Sequence, residues 1–526
     1  MTAGGTLASA LSLVVSLVVP ALLFGAPACS SSSNKGSGGS DDGGGGSYDN
    51  PTLGGDGGIN LGGASSGGTP VTYNTSKCSN GGSTTISGTV YDPAMVNPIY
   101  NVAVYVPGLK LPLPAIPEGV SCAACSDLYS APQASAVTDA SGTFKISNAP
   151  DGANIPLVVQ VGKWQHVYTL ANVTACQDNP QPDKSLRLPK NHMEGNIPDI
   201  AISTGGADSL ECLPLRMGLD AAEYVPGPST SGRIHIFQGY MGATTMPAAP
   251  ASYAGLWDSA TDLEKFDITL LSCEGRPTAG GVGGTQLMTQ EQQALLDYAN
   301  MGGRIFASHF HYAWFTSGPF TSLATPPLMT WTAATMTGSS ETIDDGVSFS
   351  GLLDTTTAAG SAFPEGVALQ AWLGNVGALT GGELPFFYAR DNVVTTNSPA
   401  QVWLNLDKSK LSANDTMKLA PDLSSTTPQY LSFDLPLDVG VESSKCGRVV
   451  YSDLHVSGGP GALEPPLGST PAPAPDYGLG GSAGVAPSGC AMHPLTPQEK
   501  ALEFMIFDLS SCLIPIGQAP PTSLVQ

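Results

Sequence analysis

The chain is short of charge, and shortest of positive charge. Of 526 residues only 12% are charged, and 20 Lys and Arg stand against 43 Asp and Glu, for a formal net charge of −23. That balance argues against a nucleic-acid ligand, because neutralising phosphates needs a basic face. It weighs less heavily against peripheral contact with anionic lipid. Low charge density also separates the chain from charge-driven disordered proteins. Phosphate-cradling and dinucleotide fingerprints are missing. The run Gly280-Gly281-Val282-Gly283-Gly284 lacks the Lys and the strand–helix setting, and reads as a flexible loop. No eight-fold strand–helix repeat occurs, which excludes a (β/α)8 barrel. There is no His-Glu-x-x-His helix. Gly and Pro are plentiful, 64 and 44, about a fifth of the chain, and mark linkers and long loops. The length is enough for two or three domains.

Residues 7–25 form one apolar run, followed by Ala26-Pro27-Ala28-Cys29 and four serines. An export h-region ending in small residues has this form. With a cysteine directly after it, the segment resembles a bacterial lipoprotein signal. It departs from that signal in having no Lys or Arg ahead of the run and Ala26 three positions before the cysteine. The resemblance implies that Cys29 is acylated as the mature N-terminus. Ser30 behind it implies the outer membrane of a Gram-negative bacterium. An uncleaved anchor is the other reading, since a run of this length nearly spans a bilayer. The Gly/Ser stretch that follows favours the lipoprotein. Residues 30–77 bury no core and read as a disordered tether, with a span of roughly 35–40 Å. Nine cysteines remain beyond Cys29. In an exported chain these are expected as disulfides, with one left over. Cys122 and Cys125 read as a local bridge in a loop. Cys446, ahead of a core strand, is expected to pair with Cys490 or Cys512.

Two folded regions follow. Residues 78–205 carry short strands broken by turns at Asp92-Pro93, Ser141-Gly142 and Asp151-Gly152, which implies an all-β sandwich. The order Ser87-Gly-Thr-Val-Tyr-Asp92, Val102-Ala-Val-Tyr-Val106 and Thr138-Asp-Ala-Ser-Gly-Thr-Phe144 resembles the carboxypeptidase regulatory-like family. That implies an Ig/transthyretin-like sandwich serving as a non-catalytic module. After a connector at 206–224, residues 225–516 alternate strands with helices, the pattern of a parallel α/β sheet. Arg233–Phe237, Phe266–Leu271, Arg304–Ser308 and Gly447–His455 read as strands. Thr289 opens one helix, and Thr496-Pro497-Gln498-Glu499 opens another as a capping box with Pro in the first turn. A Pro/Gly-rich loop fills 457–494, and 517–526 reads as a disordered tail.

The Phe266–Leu271 strand, the Ala294–His309 helix–strand and the Cys446–His455 strand together resemble the class I glutamine amidotransferase-like superfamily, in its trehalose-utilisation-like branch. That implies a flavodoxin-like α/β fold. The whole layout is similar to predicted lipoproteins of myxobacterial type. The family implies a Cys nucleophile at the elbow after the third strand, and a His then a Glu after a late strand. Here the elbow reads Ser308-His309. The late histidine is His455, and Ser457 stands where the Glu would be. The glutaminase triad is broken at two of its three positions, and Cys273 ends a different strand.

Ligands of open α/β sheets sit beyond the carboxyl ends of the strands. The candidates there for catalysis are His309, His455, Cys273 and Glu274. For a divalent metal such as zinc they are His309, His311, His455 and Asp453, with His235 a further neighbour. The plainer reading is that these histidines hydrogen-bond loops at the top of the sheet. Tyr312, Trp314 and Phe315 read as a cover for the sheet edge, or as a platform for a sugar. The expected function is an outer-envelope lipoprotein presenting two modules for binding or structural purposes, anchored to the membrane by lipid and facing envelope carbohydrate or protein. The alternative is a metal-dependent or histidine-based hydrolase acting on envelope carbohydrate or peptide.

Overall fold

β-Branched and alternating segments after residue 84 form nine short strands. They are β1 (Thr85–Tyr91), β2 (Ala103–Pro107), β3 (Pro132–Val137), β4 (Thr143–Ile146), β5 (Gly152–Val161), β6 (Trp164–Val173), β7 (Asp178–Pro180), β8 (Leu186–Arg187) and β9 (Gly195–Asn196). One sheet runs β4-β1-β7, with β8 also on β1; the other runs β3-β2-β5-β6-β9. Ile86, Val90, Phe144 and Ile146 of the first share a buried core with Val104, Val106, Leu157 and Val159 of the second. The computed structural model describes residues 68–524 except 80, 123–127, 241, 246, 251–254, 276–288, 337–347, 414–418, 420–426, 438–444 and 456–484. Cys29, the apolar run before it, Cys125 and most of the 457–494 loop lie outside those residues.

The larger sheet has ten strands. Its members are β10 (Ile200–Thr204), β11 (Tyr224–Pro226), β12 (Ile234–Gln238), β13 (Ile268–Leu271), β14 (Arg304–Ser308), β16 (Phe349–Leu353), β17 (Leu384–Phe386), β19 (Gln401–Leu406), β20 (Pro428–Leu435) and β21 (Gly447–Ser452). A separate pair is formed by β15 (Met329–Trp331) and β18 (Val393–Thr396). The order is β11-β12-β10-β13-β14-β21-β20-β19-β16-β17. Pairing is parallel from β11 to β21 and antiparallel from there on. The expected parallel sheet is therefore half of a mixed one, and the protein is β-rich with few helices.

The helix Thr289–Asn300 buries Ala294, Leu295, Tyr298 and Ala299, and Gly302, at φ 110°, turns the chain out of it. The helix Pro497–Ser510 starts as the sequence says. Thr496 and Glu499 cap each other, which satisfies two of the amides that a helix start leaves open. This helix joins the two regions. Phe504 stacks on Tyr100 at 5.8 Å, Phe507 meets Trp164 edge-on at 5.8 Å, and Trp164 Nε1 donates to Ser510 Oγ at 3.1 Å. Its other side packs on β14, β17 and β21.

Several boundaries move. Ile200–Thr204, inside the expected sandwich, lies between β12 and β13 in the larger sheet, because its Ile-Ala-Ile run is buried on both faces. The expected tether is anchored before residue 78: Val71 N–H donates to Gly108 O at 2.9 Å, and Ser76 N–H to Asp151 Oδ1 at 2.6 Å. The expected tail is also placed, since Val137 N–H donates to Thr522 O at 3.0 Å and Leu524 N–H to Ser135 Oγ at 2.8 Å. It thereby occupies the open edge of β3, a location where unpaired backbone groups need a partner.

The disulfides differ from expectation. Cys78 bridges Cys176, Cys122 bridges Cys446 and Cys212 bridges Cys490. Cys122 thus does not pair with Cys125, and Cys446 pairs with neither Cys490 nor Cys512. The loop after β2 crosses to the larger sheet, where Val120 N–H donates to Glu264 O at 2.8 Å, and this brings Cys122 to the start of β21. Cys512 is disulfide-bonded as well. Among the described residues, no helix is long and apolar enough to cross a membrane.

Candidate metal centre

Four neighbouring parallel strands end at one level. The registers Ser203↔Leu271, Leu271↔Ala307 and Ser308↔Ser452 align the carboxyl ends of β10, β13, β14 and β21. The residues just beyond them are Asp208, Cys273, His309 and His455. Gly205 permits the approach: a Cβ there would fall 2.1 Å from Cys273 O. At the elbow, β14 stops after Ser308 and His309 adopts φ 39°, a left-handed conformation costly for a non-glycine residue. Tyr388, whose ring meets that of His455 edge-on at 6.0 Å, has φ 57°. Strain of this kind persists only where the surroundings enforce it.

One donor atom each from Cys273, His309 and His455 lies within 4.8 Å of the other two, and all three side chains are buried. Cys273 Sγ is 3.6 Å from His309 Nδ1, and the two imidazole rings are 4.6 Å apart at 64°. Sulfur and nitrogen bound to one tetrahedral zinc at their usual bond lengths are about 3.5 Å apart, so the Cys273–His309 spacing already fits. Asp208 Oδ2 lies 3.3 Å from His455 Nδ1, within reach of an ion pair but not aligned as a hydrogen bond. Asp208 is itself held by the Ser308 hydroxyl, and Ser308 Oγ accepts from Cys273 N–H at 3.1 Å. Tyr451 OH donates to His309 O at 3.0 Å, and Gln498 Nε2 donates to His455 O. His309 Nε2 is buried without a hydrogen bond.

Burial, and then the Asp208 carboxylate, push the Cys273 thiol well above its ordinary range. Burial, then His455 and Arg390, hold His309 well below the usual imidazole value, while the Asn392 amide opposes the drop. At neutral pH the cluster is a thiol beside an uncharged His309 imidazole. Both shifts favour a thiol beside a neutral imidazole over a thiolate–imidazolium pair. A divalent cation held by Cys273, His309 and His455 would displace the thiol proton and make the sulfur a thiolate ligand.

The other expected site residues fall elsewhere. His311 sits in the 3-10 turn His309–Trp314, where the strand pattern has ended, so its ring does not follow that of His309. It meets Ser272 O at 2.8 Å and receives Trp314 Nε1 at 3.0 Å, and burial drops its pKa to about 4. This is the loop-anchor role. Asp453 accepts Tyr451 OH at 3.0 Å and Asn392 N–H at 2.9 Å, and burial raises it to about 7. Glu274 is buried beside Gly239, outside the cluster. His235 lies at the amino-terminal half of β12, 3.1 Å from Asp199, at the wrong end of the sheet. Tyr312, Trp314 and Phe315 are buried, Trp314 against Trp257, which matches the cover and not the sugar platform.

Sequence reasoning missed Asp208, Tyr388, Arg390 and Asn392. Reading Ile200–Thr204 as a strand would have exposed Asp208 through the strand-end rule. The charged pair Arg390-Asp391 in an apolar stretch was the signal for the others.

No family model matches the chain, and no curated protein matches it. Among solved structures, two type II cohesin–X-dockerin complexes from Acetivibrio cellulolyticus were found, an N-terminal and a C-terminal interface mutant. The first is 14% identical over 29% of this chain and 88% of its own, with a TM-score of 0.16. The second is 15% identical over 28% and 79%, with a TM-score of 0.14. Likenesses at these scores bear on neither fold nor function.

Proposed function

We propose that this protein is an exported lipoprotein whose larger sheet is a catalytically degenerate, flavodoxin-like relative of the amidotransferases, and that it holds a zinc-class metal on Cys273, His309 and His455. The observation that carries the metal is the mutual 4.8 Å spacing of three buried soft donors. A second supports it. Cys273 is the free cysteine among the described residues of a disulfide-bonded chain. In an oxidising compartment a thiol kept reduced and beside two imidazoles is suited to a metal more than to a disulfide.

Support for the amidotransferase-like reading comes from the parallel half-sheet, the strained elbow at His309 and the late histidine. The elbow carries an imidazole where that family carries its thiol, so glutaminase chemistry lacks its nucleophile. Full burial of the three ligands favours a metal that organises a binding or structural surface over one that turns over substrate. The site in this reading is the platform for the module, and lipid on Cys29 tethers it to the membrane.

The test is metal content after export and purification without added chelator. Wild type is expected to carry about one zinc per chain, and Cys273→Ala and His309→Ala to bind Zn²⁺ at least tenfold more weakly. Equal, weak binding by all three proteins would leave the histidines as loop anchors.

A further inference from the structure

At the opposite end of β13 and β14 from the metal cluster lies a second feature. A cavity of about 110 Å³ opens between the start of β6, the end of the C-terminal helix and the amino-terminal ends of the larger sheet. Its polar walls include Lys163, Asp267, Arg304 and Lys445. A water needs about 10–15 Å³ in this measure, so the space takes several waters or one small ion with its hydration.

Lys163 is accounted for: its Nζ lies 2.5 Å from Asp267 Oδ1 and donates to Gly119 O at 2.5 Å. The remaining Asp267 oxygen accepts Asp199 N–H at 2.8 Å. Arg304 is not accounted for. Among the described residues its guanidinium makes no hydrogen bond and no ion pair, and its Nη1 is buried. The carboxylates whose charge acts on it, Asp434 and Asp508, hydrogen-bond to Arg448 instead. Arg448, paired with Arg304 across the strands, takes both oxygens of Asp434 and one of Asp508. Burial and the Arg448 charge lower Arg304 to about 10, which still leaves it ionised at neutral pH. A guanidinium presents five N–H donors in a planar fork, and leaving its buried Nη1 unpaired is unfavourable.

We infer that this cavity binds a small oxyanion group, a phosphate or a carboxylate, with the Arg304 guanidinium as its principal donor. An oxyanion offers the fork two acceptor oxygens in the geometry it matches best. The chain as a whole, at net −23, repels anions, so recognition depends on this local charge and weakens with salt.

The experiment uses the exported, disulfide-intact chain with sodium phosphate or sodium acetate as probe, each matched to sodium chloride at equal ionic strength. Thermal melting and calorimetry are the readouts. Wild type is expected to gain a saturable rise in melting temperature from one probe beyond chloride. Preference for phosphate or for acetate assigns the group as a phosphate or a carboxylate, and both support the site. Arg304→Met is expected to bind that probe at least tenfold more weakly, while melting in chloride no lower than wild type, because the Arg304 guanidinium has no hydrogen bond or ion pair to lose. Arg304→Lys keeps the charge and loses the fork, and is expected to weaken binding as well, which covers the case of a poorly folding Met variant. No rise beyond chloride, or an undiminished rise in both variants, overturns the proposal. Zn²⁺ binding at Cys273 serves as the control and is expected to be unchanged in both.

Discussion

The Cys273 thiol lies 3.6 Å from the His309 imidazole, and both are buried. Because burial holds the Cys273 proton on through the neutral range, and His309 has already lost its proton, binding must release the thiol proton. The apparent dissociation constant for Zn²⁺ is therefore expected to fall about tenfold per pH unit between roughly pH 6 and 8. Competition titrations at several pH values measure this, and an affinity independent of pH would contradict it. At this scale the sequence was half legible. His309, His455 and Cys273 stood out because polar residues ending buried strands are conspicuous. Asp208 did not, because two glycines and an alanine separate it from its strand. The φ of 39° at His309, which takes His311 out of the cluster, has no sequence signal at a non-glycine residue.

The C-terminal helix was legible as an element, through its capping box and its apolar face. Its buried acids were not. Glu503 is fully buried, accepts Asn97 Nδ2 at 2.7 Å and shares its surroundings with Asp92 just after β1. Burial, then the Asp92 charge, raise Glu503 well above the usual carboxylate range, and burial raises Asp92 to about 6. A raised folded pKa gives stability that is complete below the unfolded value, about 4, and is lost as pH climbs through the folded value. Glu503→Gln keeps the shape and removes the titration. We expect it to be close to neutral at pH 4–5 and to gain on wild type as pH rises towards 8, as read by chemical denaturation. A difference from wild type that does not change with pH would refute this. The antiparallel half of the larger sheet went unread for a related reason. β20 is buried throughout yet carries Gln429, Ser432 and Asp434, and Asp434 is neutralised by Arg448 from the next strand. Paired polar residues inside a sheet look from sequence like a solvent face.

At the scale of the whole molecule, covalent links replace the charged surface the chain lacks. Three of the bridges, with both partners among the described residues, close intervals of 98, 324 and 278 residues, and Cys122–Cys446 ties the loop after β2 to the larger sheet. Such bridges are rare outside oxidising compartments, which supports an extracytoplasmic location. Spacing alone could not pair these cysteines, since connectivity depends on which loops cross between regions. Closing long loops stabilises by restricting the unfolded chain, typically by 2–4 kcal/mol per bridge. Cys122→Ala with Cys446→Ala is expected to lower stability by about that amount. An unchanged melting temperature would mean that the Cys122–Cys446 tie contributes nothing.

All of these scales meet in the candidate metal cluster, where strand register, loop strain and the free thiol converge. The most direct measurement is zinc-edge X-ray absorption on the exported, zinc-loaded protein. The account predicts one sulfur at about 2.3 Å and two imidazole nitrogens at about 2.0 Å, with the sulfur lost in Cys273→Ala. A first shell of oxygen alone, or one unchanged by that substitution, would contradict it.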